Sequence, residues 1–98
     1  MIKFKDPWER PEKPEYFVNQ LCKEVDSSHY LYKFKDCIRT IAKSSTNDDV
    51  IYEIREMGFV WVHLTWANQN TNEYPLYRLL PKESDVQEII DKDNYEFN

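Results

Sequence analysis

The chain has a single glycine, Gly58, and it marks the point where one hydrophobic period gives way to another. Upstream, Val50, Ile51, Ile54 and Met57 recur at helical spacing. Downstream, Phe59–Trp66 alternates, with Val60, Val62, Leu64 and Trp66 in one set and Phe59, Trp61, His63 and Thr65 in the other. A side-chain period of two puts these sets on opposite faces of a strand. The first is a core face. The second is too aromatic for a plain solvent face and needs a cover, from the chain itself or from a partner. With helices and an arm available, self-cover is the expectation.

The remaining elements are read around that strand. Pro14 suits the first turn of a helix, and Phe17, Val18, Leu21, Cys22 and Val25 share one face, which predicts a helix over 14–26. Asp26-Ser27-Ser28 breaks it, and Leu31, Phe34, Ile38 and Ile41 predict a second helix over 29–43. Thr46 with Asp49 resembles a capping box, and acidic residues suit the positive end of a helix dipole. Gly58 stands where a left-handed C-terminal residue belongs, so a third helix is predicted over Asn47–Met57. Alternation of Ile51, Glu53 and Arg55 offers a competing strand over 50–56, but the cap signals and the glycine favour helix.

Strands at 59–66 and 74–80 flank a polar loop, Asn68–Asn72, and form a hairpin that Pro81 ends. Ser84 and Gln87 open a short helix over 85–92. At the other end, Pro7, Pro11 and Pro14 make residues 1–14 an extended arm with Trp8 as its apolar anchor. Ile2 and Phe4 alternate with Lys3 and Lys5, which predicts a short N-terminal edge strand at 2–5. The expected architecture is one α+β domain over 1–98: three helices, an antiparallel hairpin, that edge strand, and a C-terminal helix with an acidic tail over 83–98. The order is compatible with a winged helix.

Charge narrows the function classes. Residues 1–45 are slightly basic, whereas the rest of the chain carries most of the acid behind the net charge of −5. Affinity for nucleic acid comes largely from Lys and Arg displacing counterions. The helix that would enter the major groove in a winged helix carries Asp48, Asp49, Glu53 and Glu56 against Arg55. Nucleic acid is therefore a poor partner, and a winged-helix regulator that binds DNA or a transcription partner is the alternative reading.

No catalytic or cofactor motif emerges. One glycine cannot build a phosphate loop. Cys22 and Cys37 have no zinc-type spacing, and buried thiols in a reducing compartment are expected. His29, at a helix start, is expected to be exposed, and His63 to be half-buried. The chain reads as a non-enzyme with no cofactor and no metal. No apolar stretch at the N-terminus suggests a leader, so a cytoplasmic protein is expected, in the host cytoplasm if a phage encodes it. Lys exceeds Arg, Asn and Ile are frequent, and Gly and Ala are scarce, a bias compatible with an AT-rich phage or mobile element.

Two surfaces could take another protein. On a helix, Asp85, Glu88 and Asp91 share a broad face that Glu83, Asp93 and Glu96 extend, suited to a cationic groove on a partner. The competing reading is a solvated helix in which Glu88 pairs with Lys92. The aromatic surface is Trp61, His63, Tyr74 and Tyr77, because Trp and Tyr combine a large apolar body with a polar tip. The expected function is thus a small acidic protein-binding module of the inhibitor or immunity type. A self-associating structural protein is the third class.

Overall fold

The computed structural model describes residues 1–67 and 73–97. The chain runs through β1 (Trp8–Glu9), α1 (Pro14–Glu24), a 3-10 turn (Tyr30–Phe34), β2 (Ile38–Ser44), β3 (Asp49–Ile54), β4 (Gly58–His63), β5 (Leu76–Leu80) and α2 (Glu83–Phe97). The strands pair antiparallel in sequence order, so β1 and β5 form the two edges of one sheet. The polar loop expected at Asn68–Asn72 lies outside the described residues.

The sheet separates two apolar layers. On one side Leu21 and Val25, at the end of α1, and Leu31 of the 3-10 turn meet Val50, Tyr52, Ile54, Val60, Val62 and Leu64. On the other, Val86, Ile89 and Ile90 of α2 meet Trp8, Ala42, Ile51 and Leu80. Phe59 and Trp61 pack at the margin of that second layer, so α2 and the N-terminal arm supply the cover their face needs. The arm reaches this layer through Ile2 and Phe4, and Trp8 is fully buried with its indole N–H donating to Asp93 at 2.7 Å.

This α+β architecture corrects the expected order of elements. The described residues hold two α-helices and a five-stranded antiparallel sheet, in place of three helices and a hairpin. No winged helix is formed. The helix predicted over 29–43 is a single 3-10 turn followed by β2, and the one predicted over 47–57 is β3. The edge strand expected at 2–5 forms instead at Trp8–Glu9, against Ser44 and Lys43. The C-terminal helix runs to Phe97, well past the predicted residue 92.

Both misread segments have a physical reason. β3 is central, and its Val50, Tyr52 and Ile54 face one layer while Ile51 faces the other. A strand buried on both sides reads as a continuous apolar run, which periodicity alone does not distinguish from a helix. In β2 the register shifts between Thr40, opposite Tyr52, and Ala42, opposite Ile51. That bulge places Ile38 in the α1 layer and Ala42 in the α2 layer although they are an even number of residues apart. Strict alternation is thereby lost, and helical spacing is what remains visible.

Gly58 keeps its role as a boundary, in another form. It follows the β3–β4 turn, where Glu56 is left-handed at φ 64°, and opens β4 at φ 124°. A Cβ there would stand 2.8 Å from the Pro81 carbonyl oxygen. Glycine is therefore required by both backbone conformation and space.

Candidate partner-binding edge

Among the described residues β5 is the long free edge of the sheet, and four of its five residues are exposed. Its register with β4 is continuous from Phe59–Leu80 to His63–Leu76. Opposite Val60 and Val62, Leu79 and Tyr77 lie on the α1 side; opposite Phe59, Trp61 and His63, Leu80, Arg78 and Leu76 lie on the α2 side. Leu80 is buried beneath α2, but Leu76, Leu79 and Tyr77 are 55%, 40% and 38% exposed. Isolated exposed apolar side chains are ordinary, whereas three on one strand form a patch.

Aromatic contacts fix the α1 side of that patch. Tyr77 stacks on Tyr30 with centroids 5.6 Å apart and rings within 4° of parallel, and Lys33 Nζ lies 4.5 Å from the Tyr30 ring. Below them, His29 is buried. Its Nδ1 accepts the Leu31 N–H at 3.0 Å and its Nε2–H donates to the Pro75 carbonyl at 2.9 Å. His29 therefore ties the 3-10 turn to the residue that precedes β5, which corrects the expectation that it is exposed. An N-cap imidazole looks the same in sequence as a solvated one, and the bond to Pro75 spans too much chain to be read.

On the α2 side, Trp61, His63, Leu76, Tyr77, Arg78 and Asp49 line a shallow recess of about 190 Å³. Arg78 lies over the Trp61 ring, 5.8 Å from its centroid, and has no hydrogen bond or ion pair. His63 is more exposed than expected, and its Nδ1 meets the Asp49 carboxylate at 2.6 Å across the strand pair. Such a pair orients an imidazole, but among the described residues no Ser or Cys lines the recess to give that imidazole its proton and act as a nucleophile. Both thiols are free and half-buried; Cys22 is on α1, and Cys37 packs against the α1 layer. Burial pushes the Cys22 thiol up, away from thiolate chemistry. Among the described residues no group of three or more His, Cys, Asp or Glu side chains is arranged to hold a metal ion.

The acidic residues of α2 are largely engaged with the rest of the chain. Asp85 accepts the Lys82 N–H at 2.9 Å at the start of the helix. Asp91 meets Lys5 Nζ at 2.9 Å and accepts from Gln87, and these bonds hold its carboxyl below the usual aspartate range. Asp93 accepts the Trp8 indole N–H. Glu88 alone of the four is exposed without such a bond. Of the aromatic residues, Trp61, His63 and Tyr77 line the recess at β4 and β5, whereas Tyr74 is exposed beside Pro75 and is not part of that lining. Leu76, Leu79 and Tyr30 complete the patch; strand propensity marked the first two, but nothing local showed that their strand lies at an edge.

The chain matches no protein-family model, no curated protein and no solved structure, so no match points to an enzyme family. Among the described residues no helix is long and apolar enough to cross a membrane.

Proposed function

We propose that the chain is a small protein-binding module of the inhibitor or immunity type, and that it takes its partner at β5. The observation that carries this reading is the apolar edge formed by Leu76, Tyr77 and Leu79, unpaired among the described residues and flanked by Tyr30 on one face and by Trp61 and Arg78 on the other. Interfaces draw their affinity from such aromatic and Arg-bearing centres. The acidic face of α2 supports the reading less, because Asp85, Asp91 and Asp93 already serve the fold.

Photocrosslinking in the source cell tests the proposal. A benzophenone amino acid in place of Tyr77 should trap one discrete protein, and one in place of Glu88 should not. Trapping at Glu88 alone would move the interface to α2. Trapping at neither position would remove the protein-binding reading.

A further inference from the structure

We propose that the β5 edge accepts an extended segment of a partner protein as a sixth strand, and that this segment carries a carboxylate opposite Arg78. The inference rests on the protein-binding reading above and names the chemistry of the partner. Three observations lead to it.

The first is the backbone. β5 is hydrogen-bonded to β4 on one side and to no strand on the other among the described residues. Every second residue therefore turns its N–H and C=O outward, a template for strand addition. Proteins ordinarily blunt such an edge with a bulge, a charged side chain, a Pro or a very short strand. β5 has an uninterrupted register and, between Pro75 and Pro81, the sequence Leu-Tyr-Arg-Leu-Leu, so the one charge that guards it is Arg78. The opposite edge, β1, has only two residues.

The second is the pattern of side chains. An added strand would alternate between the two faces as β5 does. A residue opposite Arg78 would sit over the recess floored by Trp61 and Leu76. Its two chain neighbours would lie on the other face, against Tyr77 and Leu79. The matching motif is apolar, acidic, apolar.

The third is charge, and it decides between a second copy and a different protein. Arg78 has no acidic partner of its own. In an antiparallel β5–β5 pair related by a two-fold axis, faces are preserved. Every register that pairs three or more residues of each strand then sets the two Arg78 side chains opposite or diagonal on one face. Like charges directly opposite are destabilising, and diagonal ones remain within reach of each other on two long side chains. A second copy leaves the arginine unpaired and repelled, whereas an acidic strand neutralises it.

Selection of a displayed random decapeptide library on the intact protein tests the proposal, repeated on Arg78→Glu and Arg78→Ala. The native protein should enrich apolar–Asp/Glu–apolar sequences. Arg78→Glu should weaken a selected peptide about fivefold, the scale of one ion pair. Its charge-reversed version, with Lys for the acid, should regain binding to that variant. On peptide binding, amide exchange should slow within residues 76–80. Enrichment without an acidic residue, the same consensus on all three proteins, or no enrichment would overturn the inference. So would a dimer in sedimentation that Leu79→Asp dissociates. If Tyr77 traps a partner but the selected peptides lack the acid, the protein-binding reading stands and this inference fails.

Discussion

The Glu24 carboxylate, at the end of α1, accepts the backbone N–H of Trp66 at 2.9 Å and so holds Trp66 in the left-handed region at φ 61°. The same carboxylate accepts the N–H and the hydroxyl of Thr65, each at 2.7 Å, and the Gln20 side-chain amide at 2.8 Å. It is fully buried, yet every bond it receives comes from a neutral group. This arrangement turns the chain at the end of β4, and Trp66 then packs by Phe17 and donates its indole N–H to Asp48.

Glu24→Gln should therefore destabilise the fold. The amide NH2 would face backbone donors, and the strong charge-assisted bonds would be lost. A cost of about 2–3 kcal/mol is expected from leaving such groups unsatisfied. Urea unfolding followed by tryptophan fluorescence checks it, and an unchanged midpoint would count against the clamp.

His29→Phe keeps an aromatic ring, slightly larger than the imidazole, and removes both hydrogen bonds, to the Leu31 N–H and the Pro75 carbonyl. A loss of about 2 kcal/mol follows from two buried groups left without partners. Amide exchange at Leu76 and Tyr77 should also accelerate, because the anchor ahead of β5 is gone. Exchange unchanged there would separate the histidine from the edge.

Gly58→Ala should be among the most damaging single-atom additions to this chain. The backbone at φ 124° and the Pro81 carbonyl 2.8 Å away both oppose a Cβ. Strain of this kind costs about 1–3 kcal/mol at a single residue. Thermal unfolding would show it, and a variant as stable as the native chain would mean that the turn relaxes freely.

The N-terminal arm should loosen in acid. Lys5 and Gln87 hold the Asp91 carboxyl below its usual range. A carboxyl whose folded value is lowered contributes stability that is complete above its unfolded value, about 3.9. That contribution is lost as pH falls through the lowered folded value. Protease accessibility of residues 1–5 should rise over that interval, and Asp91→Asn should leave the arm accessible at neutral pH. Because both side chains are nearly half-exposed, salt should weaken the contact as well.

Much of the scaffold was legible where amphipathicity is one-sided. α1 shows its apolar stripe from Phe17 to Val25, α2 shows Val86, Ile89 and Ile90, and β4 alternates cleanly. β2 and β3 were not legible, because one contains a bulge and the other is buried on both faces through its apolar run Val50-Ile51-Tyr52. At the site, aromatic content singled out Trp61, Tyr74 and Tyr77, but not the edge that joins them. Edge position is a property of strand order, which no local pattern encodes. The acidic row looked like a surface because a helix repeat shows which carboxylates share a face. It does not show that Lys5 and the Trp8 indole will reach two of them from the far end of the chain.

The two ends of the sheet are unequal, and this sets a valency. β1 offers two residues bounded by Pro7 and Pro11, too little for another strand to grip, while β5 offers five. A chain with two open ends can propagate head to tail into a fibre; one with a single long edge cannot. Under the proposal above, strand addition at β5 would use that edge once per chain, giving a complex of one partner to one chain.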